Sequence, residues 1–434
     1  MDGLTVSGVI TGSIGKSENN IQYTATGNNA TKLTFGNVAW QDSGALMTRP
    51  ANITFAGAAV DTSNINFTNI KELEAHKTMT LVVDFGDSVG EITGTKYKVG
   101  STLQGEGKAS LTAGGDLIFT TDTRAEKMGL QEQTHNTVMG ASVGMAALSA
   151  GNDFVGAAAE GLAAAGNTGS DGVAVYGNMG GSSLTQETSS HVNTHTWNAI
   201  LAFGHKNVQK LTTTEYGAFV EHGRGNYSTI NGNERGDGST HYTGGGVLGK
   251  WQKNDGFYVE GSLRAGRIHD DADNVLRDAA GNPYSYETDA TYWGAHIGVG
   301  KEIRLTPTGT LDVYARYFYN RRGSVSFDAG GHYDLDAVNS SILWLGTRYT
   351  VKQNDNCKFY GGIAVEHEFD GKAGGCADGL AIRGADTSGT SVRGELGVNF
   401  KPTKQSPVTL DLNISGFAGK KRGFTGGLTA LFHI

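Results

Sequence analysis

Six charged residues stand inside segments of the chain that alternate between apolar and polar side chains. They are Glu260, Arg264, Asp312, Arg316, Arg393 and Glu395. Side chains two positions apart in a strand share a face, so each charge belongs to a polar face that opposes an apolar one. Such groups can line a water-filled channel or solvate a polar segment. They do not form a nucleophile with an adjacent base, so no catalytic residue is predicted.

The other reactive residue types predict no site. The two cysteines, Cys357 and Cys376, have no Cys-x-x-Cys or His-x-x-x-His motif near them, which argues against zinc and redox sites. His76 is the only histidine in residues 1–121. Glycine-rich stretches with GxGxxG-like spacing follow no βα unit, which argues against a nucleotide site. We therefore predict no cofactor and no metal.

Length and composition limit the class of protein. The chain has 434 residues, with 66 glycines and only 5 prolines, which suits closely packed strands and tight turns. A net charge of −8 without a basic block argues against nucleic acid as a partner. The opening stretch MDGLTVSGVITGSIG lacks the pattern of a secretory signal. We therefore expect the native protein to begin further upstream, or the start to be misassigned.

Residues 1–121 form the first of three predicted domains. Short alternating pieces such as ATKLTFGNV and MTLVVDF are separated by Asn and Gly turns. This pattern fits the stacked rungs of a β-solenoid, in which each rung buries apolar side chains on its neighbours. Because the repeat has no clean period, a small β-sandwich is the alternative.

Residues 122–168 form the second domain, a linker α-helix. The stretch from Arg124 to Gly161 is rich in Ala, Met, Leu, Gln and Glu and contains no proline, which favours helix. About 38 helical residues would span roughly 57 Å, and their composition is too mixed for a helix facing lipid. The helix is either an exposed linker or sheltered inside another domain.

Residues 169–434 form the third domain and alternate with the period of two expected of strands. Odd connections between the predicted strands are long and even ones short, although the eleventh, KKR, is also short. Unequal loop lengths at the two ends and an even strand number are typical of an outer-membrane β-barrel. The twelve predicted strands cover residues 172–181, 192–205, 211–224, 239–252, 255–269, 287–302, 308–322, 338–351, 357–370, 389–401, 407–418 and 422–434.

A soluble β-sandwich or lipocalin-like barrel is the alternative, since it alternates equally but buries its apolar face. Eight-stranded soluble barrels rarely have twelve long strands with one-sided loops, so the membrane barrel is favoured. Aromatic residues near strand ends also suit the two interfacial girdles of such a barrel. These residues are Trp251, Phe257, Tyr258, Tyr317, Tyr319, Phe400, Phe424 and Phe432.

The order of solenoid, Ala-rich helix and twelve strands resembles the C-terminal part of a monomeric type Va autotransporter. The resemblance covers essentially the whole chain and is carried by stretches such as GSTLQGEGKASLTAGGDLIFTTDT, FYVEGSLRAGRIHDD and FYGGIAVEHEFDG. It implies an all-β fold: a 12-stranded antiparallel transmembrane β-barrel with an α-helix in its lumen, preceded by a short β-solenoid segment of the passenger. It also implies localisation in the bacterial outer membrane, with the N-terminal segment at the cell surface.

The resemblance gives the charged residues a place. We expect all six to face the lumen, because an Arg on the lipid face would cost roughly 2–4 kcal/mol at the midplane; solvated positions near the rims are the alternative. Some relatives cut their own linker at an Asn-Asn pair. This helix has only the isolated Asn136 and Asn152, so that route is not assigned, and an aspartate-assisted cut elsewhere stays open.

The last predicted strand carries four apolar residues on one face: Phe424, Leu428, Phe432 and Ile434. We expect this face to meet lipid. The resemblance implies that the strand is also the signal read by the barrel-assembly machinery. That signal usually closes on an aromatic residue, whereas here Ile434 is last and Phe432 stands two residues earlier.

Two functions are predicted from the residues present, and a third, enzymatic, option would place hydrolase chemistry in a part of the passenger outside them. In the first, the chain is an outer-membrane translocator that exports and anchors its passenger. In the alternative, it is a surface adhesin in which residues 1–121 end a binding passenger and the barrel is only an anchor. Expected partners are outer-membrane lipids, the barrel-assembly machinery, periplasmic chaperones and the chain's own passenger, with the protein a monomer.

No disulfide is expected between Cys357 and Cys376, since about 13 strand residues, or roughly 40 Å, separate them.

Overall fold

The structure, a computed structural model, describes residues 5–13, 18–70, 75–123, 128–164, 172–188, 191–232, 234–278, 281–403 and 406–433. Its three parts follow one another along the chain: a β-solenoid, an α-helix and a closed twelve-stranded β-barrel.

The N-terminal part is a stack of short strands. Parallel pairing joins Asn29–Phe35 (β3) to Ala59–Asp61 (β6) and β6 to Ile92–Thr93 (β9). It also joins Asn37–Val38 (β4) to Asn66–Phe67 (β7), β7 to Lys96–Val99 (β10), and Ala45–Thr48 (β5) to Thr78–Val83 (β8), so successive rungs lie on one another. This stacking identifies a solenoid rather than a sandwich. The strands are Thr5–Ser13 (β1), Glu18–Thr26 (β2), Asn29–Phe35 (β3), Asn37–Val38 (β4), Ala45–Thr48 (β5), Ala59–Asp61 (β6), Asn66–Phe67 (β7), Thr78–Val83 (β8), Ile92–Thr93 (β9), Lys96–Val99 (β10), Leu103–Leu111 (β11), Leu117–Thr121 (β12) and Gly129–Leu130 (β13).

A column of aromatic side chains fills the solenoid. Phe35, Phe55, Phe67 and Phe85 are fully buried, and the ring of Phe67 packs edge-on against that of Phe119 with centroids 5.8 Å apart. Each large ring removes much apolar surface from water. The antiparallel hairpin β11–β12 then ends the stack.

A 3-10 turn at Glu132–Thr134 leads into α1, His135–Ala164. Its thirty residues span about 45 Å. The helix was predicted from Arg124, but residues 124–127 lie outside the described residues, and Gly129–Leu130, also predicted as helix, forms β13 and pairs with β11 instead. Within the described residues, no helix is both long enough and apolar enough to cross a bilayer.

Twelve long antiparallel strands close into the barrel. The first pairs with the last, in a register that runs from Ala174 opposite His433 to Gln186 opposite Lys421. The strands are Gly172–Glu187 (β14), His191–Val208 (β15), Thr212–Asn231 (β16), Glu234–Lys253 (β17), Phe257–Arg277 (β18), Pro283–Arg304 (β19), Gly309–Arg322 (β20), Val338–Asn354 (β23), Cys357–Glu368 (β24), Gly389–Phe400 (β29), Val408–Gly419 (β30) and Lys421–His433 (β31).

Several strands run further at the long-loop end than predicted. The stretch GNYSTINGNERGDG, residues 225–238, was predicted as a loop, yet β16 continues to Asn231 and β17 begins at Glu234. Beyond a bilayer the outer face of a hairpin no longer meets lipid and needs no apolar side chains. The apolar alternation that marks a strand therefore disappears there, although the backbone pairing continues.

Two long connections carry a small external sheet over the barrel. Its strands are Val325–Asp328 (β21), His332–Leu335 (β22), Gly375–Ala377 (β26) and Leu380–Ala381 (β27), beside the pair Lys372–Ala373 (β25) and Ala385–Asp386 (β28). Phe327 stacks on Tyr286 of the barrel wall, with ring centroids 4.0 Å apart. This stacking fixes the external sheet to the wall.

Candidate functional site: the helix-filled lumen

Burial alternates along the barrel strands. On β18, Glu260 and Arg264 are buried, whereas Leu263 between them is 60% exposed. The exposed side chains around the wall are mostly apolar, and the buried polar ones face inward. This is the reverse of a soluble barrel and matches a barrel whose outer surface meets lipid. The exposed apolar set includes Leu201, Phe203, Val220, Val247, Leu263, Ile297, Leu345, Ile363, Leu396 and Ile414.

Aromatic side chains lie among this outer set. Trp251 is exposed near the short-turn end of β17, and Trp197 and Trp293 are exposed closer to the long loops, within β15 and β19. Tyr258 is an exception to the predicted girdle. It is only 1% exposed, and its hydroxyl donates to the carboxylate of Asp312 at 3.0 Å, so it faces the lumen.

Arg264 joins the barrel wall to the helix. Its guanidinium donates to Glu221 Oε2 at 3.0 Å and to Asn320 Oδ1 at 2.6 Å, both on the wall. It also donates to the backbone oxygen of Leu148 at 3.0 Å and to Asn152 Oδ1 at 2.7 Å, both on α1. Arg264 is 5% exposed. A buried guanidinium needs such partners for its five donors.

Glycines bring the helix close to this wall. A Cβ added at Gly151 would lie 2.5 Å from the hydroxyl oxygen of Tyr242, and one added at Gly144 would lie 3.1 Å from Asp270 Oδ1. Larger side chains at these positions would push α1 away. The close approach lets Arg264 reach the backbone of the helix.

A second arginine holds another face of α1. Arg393 on β29 forms an ion pair with Asp153 of the helix, and its guanidinium lies 5.2 Å from the ring centre of Trp344. Ser149 Oγ lies 3.5 Å from Ser340 Oγ on β23. The wall therefore contacts the helix from at least two sides.

The other four predicted charges bond to side chains on the next strand but one of the wall. Arg316 donates to Glu260 at 2.7 Å, and Arg348 donates to Glu395 at 2.6 Å. Asp312 accepts from Tyr258, as described above. All six predicted residues thus lie on the inner face, and the described contacts bring Arg264 and Arg393 to the helix.

Several important partners were not predicted from the sequence. Glu221, Asn320 and the buried ion pair of Arg322 with Asp270 lie inside the lumen. So do Asn152 and Asp153, which interrupt the apolar half of the helix sequence. That interruption was the one available signal, since polar residues in a helix of small apolar residues need polar partners.

The last rungs of the solenoid rest on the external sheet. Ser101 Oγ lies 2.9 Å from Tyr333 Oη, the Ser101 amide donates to the carbonyl of Gly330 at 2.9 Å, and Thr102 donates to Asp378. Burial raises the pKa of Tyr333, so its hydroxyl stays protonated at physiological pH.

Further contacts connect the entrance of the helix to the barrel. Gln133 donates to the carbonyl of Arg277 at 3.0 Å and accepts from its amide at 2.8 Å. The ring of His135 hydrogen-bonds the carbonyl of Arg383. These bonds join the residues that lead into α1 to both the wall and a long loop.

On the last strand, Phe424, Leu428 and Phe432 are 57%, 40% and 44% exposed, whereas Thr429 is buried. Ile434, the fourth residue predicted on this face, lies outside the described residues.

The two cysteines are free thiols, Cys357 at the start of β24 and Cys376 in the external sheet.

Comparisons with known proteins agree with this architecture. Residues 173–413, more than half of the chain, match the family described as autotransporter beta-domain. The autotransporter adhesin/invasin TibA of Escherichia coli O78:H11 is 26% identical over 216 residues, which are 48% of this chain and 20% of TibA. The chain therefore spans about one fifth of the length of this relative.

A solved structure, the β domain of BrkA, supports the fold. The β domain of the Bordetella autotransporter BrkA aligns with a TM-score of 0.50 at 12% identity, over 60% of this chain and 99% of BrkA's β domain. The translocator domain of NalP from Neisseria meningitidis aligns with a TM-score of 0.48 at 13% identity, over 66% of this chain and 97% of the NalP domain. With its closed barrel, internal helix and family match, the chain belongs to the autotransporters and carries their outer-membrane translocator domain.

Proposed function

We propose that this translocator keeps its passenger attached to the cell surface after export. The observation that carries the proposal is the pair of hydrogen bonds from Arg264 to the Leu148 carbonyl and the Asn152 side chain of α1. They hold the helix inside the wall while the chain continues into the solenoid at the barrel mouth. A linker held in this way serves as both plug and tether.

The polar lumen suits both stages of this function. While the passenger passes, inward-facing groups such as Glu260, Arg316 and Asp411 can hydrogen-bond an extended chain that has no partners of its own. Once the helix occupies the lumen, its backbone N–H and C=O groups hydrogen-bond one another within the helix. The wall then needs to bond only a few side chains and one helix carbonyl.

The fate of the linker tests this proposal. Cells expressing the chain behind a secretory signal are separated into medium and outer-membrane fractions, and residues 1–121 are followed with an antibody. Retention of these residues in the membrane, on a chain whose mass is that of the uncut protein, supports tethering. Release of a soluble fragment that ends within α1 would refute it.

We also propose that the last strand is the assembly signal and that lipid covers the outer apolar band. Phe424, Leu428 and Phe432 support this, because all three are exposed on one face of a strand that closes the barrel. A shape that closes on itself leaves no free sheet edge, so the protein should insert as a monomer.

A second candidate is an adhesin in which the solenoid presents a binding passenger. The contacts of Ser101 and Thr102 with the external sheet favour it, because they would set a fixed direction for a stalk. TibA is itself described as an adhesin/invasin. Attachment of cells displaying residues 1–121, compared with cells displaying the barrel alone, tests this candidate.

A further inference from the structure

A histidine and two carboxylates meet on the outer face of the barrel, away from the lumen. His269 and Asp271 stand two positions apart on β18, and Glu287 and Asp289 stand two positions apart on β19. In the register of this hairpin His269 pairs with Asp289, and Asp271 pairs with Glu287. All four therefore share one face of one strand pair.

The ligand atoms of three of these residues are within reach of one ion. One donor atom each from His269, Asp271 and Glu287 lie within 4.8 Å of one another, the single such group in the described part of the chain. His269 Nε2 is 3.0 Å from Asp271 Oδ1. The site therefore needs only a small adjustment of side chains to surround a cation.

Asp289 and His241 complete the surroundings. Nδ1 of His269 lies 2.9 Å from Asp289 Oδ1, the carboxylate–histidine contact that fixes the ring and leaves Nε2 for a metal. The ring of His241, directly opposite on β17, has its centroid 4.9 Å from that of His269. The ring of His241 therefore lies beside that of His269, whereas the three-residue ligand group is formed by His269, Asp271 and Glu287.

We propose that His269, Asp271 and Glu287 bind a divalent transition-metal ion, with Zn²⁺ the best match. Imidazole with carboxylates is a ligand set that suits Zn²⁺, whereas Mg²⁺ and Ca²⁺ prefer oxygen ligands alone. The sequence predicted no metal site because no ligand motif is contiguous. The ligands come together only through the pairing of β18 with β19.

The position of the group gives it access to external ions. Asp289 lies four residues from the exposed Trp293 on β19, or roughly 13 Å along the strand, in the direction of the long loops. Glu287 and Asp289 are exposed. A metal bound there would join two strands of a hairpin that projects beyond the aromatic side chains. It would stabilise the folded state, because the unfolded chain does not assemble the ligands.

The test is calorimetric titration of ZnCl₂ into the full chain, folded in detergent and purified without a polyhistidine tag. We expect one saturable Zn²⁺ site, no saturable binding of MgCl₂, and at least a tenfold loss of affinity in His269→Ala and in Glu287→Gln. Heat-modifiable migration on gels checks that each variant is folded.

His332→Ala provides the matched control. His332 lies in the external sheet 2.8 Å from Asp328 and 3.4 Å from Asp334, but the described residues there do not form a three-ligand group. This variant should bind Zn²⁺ as the parent does. The proposal is overturned if the parent chain shows no saturable Zn²⁺ site, or if His269→Ala binds Zn²⁺ with the parent's affinity. Either result would mean that these side chains form only a network of ion pairs.

Discussion

Replacing Arg264 with alanine removes the side chain that bonds the helix most directly to the wall. Arg264 donates to the carbonyl of Leu148 at 3.0 Å and to Asn152 at 2.7 Å. A hydrogen bond to a charged group contributes about 1.5–3 kcal/mol, so the pair contributes about 3–6 kcal/mol. Water that enters the space left by the arginine side chain can hydrogen-bond the helix groups and recover part of this free energy. We therefore take the lower end of the range, about 3 kcal/mol.

A loss of about 3 kcal/mol raises the fraction of time that the helix is displaced by about 100-fold, at 1.4 kcal/mol for each factor of ten. The barrel strands themselves keep their ladder of backbone hydrogen bonds. The double variant Arg264→Ala/Glu221→Gln avoids leaving an unpaired carboxylate in the lumen, since breaking one side of a buried pair costs about 3–5 kcal/mol on its own.

Single-channel recording in planar bilayers measures the displaced state. The parent protein should show rare, brief openings, and both Arg264 variants should spend about 100 times as large a fraction of the recording in the open state. Asp411→Asn is the matched control, because Asp411 is a lumen carboxylate that accepts hydrogen bonds from wall residues, among them Tyr360 and Asn413. An open fraction in Arg264→Ala equal to that of the parent would refute the role of this residue in holding the helix.

Four further predictions follow from named contacts. Gly151→Leu should displace the helix and open the pore in the same recordings, because even its Cβ would lie 2.5 Å from a wall tyrosine hydroxyl, and a closed pore would contradict the tight packing. Deleting Phe432–Ile434 should abolish the heat-modifiable membrane form, whereas unimpaired insertion would refute the assembly signal. Tyr333→Phe should cost about 1 kcal/mol and make residues 1–121 more sensitive to proteinase on intact cells; unchanged digestion would show that the bond to Ser101 is dispensable. Hydrogen bonding to Lys32 lowers the pKa of Asp61 to about 2, so this carboxylate stabilises the rungs above about pH 4 and loses that effect as pH falls towards 2. Asp61→Asn should therefore flatten the acid dependence of solenoid unfolding. The effect should be less than about 1 kcal/mol, because the Lys32–Asp61 ion pair is partly exposed. An acid transition by circular dichroism that is the same in Asp61→Asn and in the parent would contradict this prediction.

The sequence predicted the strands well where the two faces of a strand meet different surroundings. Along β18 the alternation of Leu263 with Arg264 reflects lipid on one face and a polar lumen on the other, and this contrast locates the strand. Beyond the bilayer the contrast ends, so residues 225–238 were wrongly predicted as a loop although most of them continue in β16 and β17.

The site was less accessible from sequence, because its contacts join residues far apart in the chain. Arg264 and Arg393 could be assigned to the inner face, but nothing local links them to Asn152 and Asp153. Tyr258 shows a related limit: an aromatic residue near a strand end suits a girdle, yet here its hydroxyl bonds Asp312 inside the barrel. The metal-binding group likewise depends on strand register, which a single sequence does not give.

One cross-linking measurement tests most directly whether the helix stays in the lumen while its passenger is outside. Ser149 Oγ on α1 and Ser340 Oγ on β23 are 3.5 Å apart, so Ser149→Cys/Ser340→Cys, with Cys357 and Cys376 changed to serine, should form a disulfide on intact cells. Proteinase added outside should then remove residues 1–121 and leave the cross-linked helix and barrel as one species. Absence of the cross-link in cells whose solenoid is digested, or protection of residues 1–121 in intact cells, would contradict the tethered translocator.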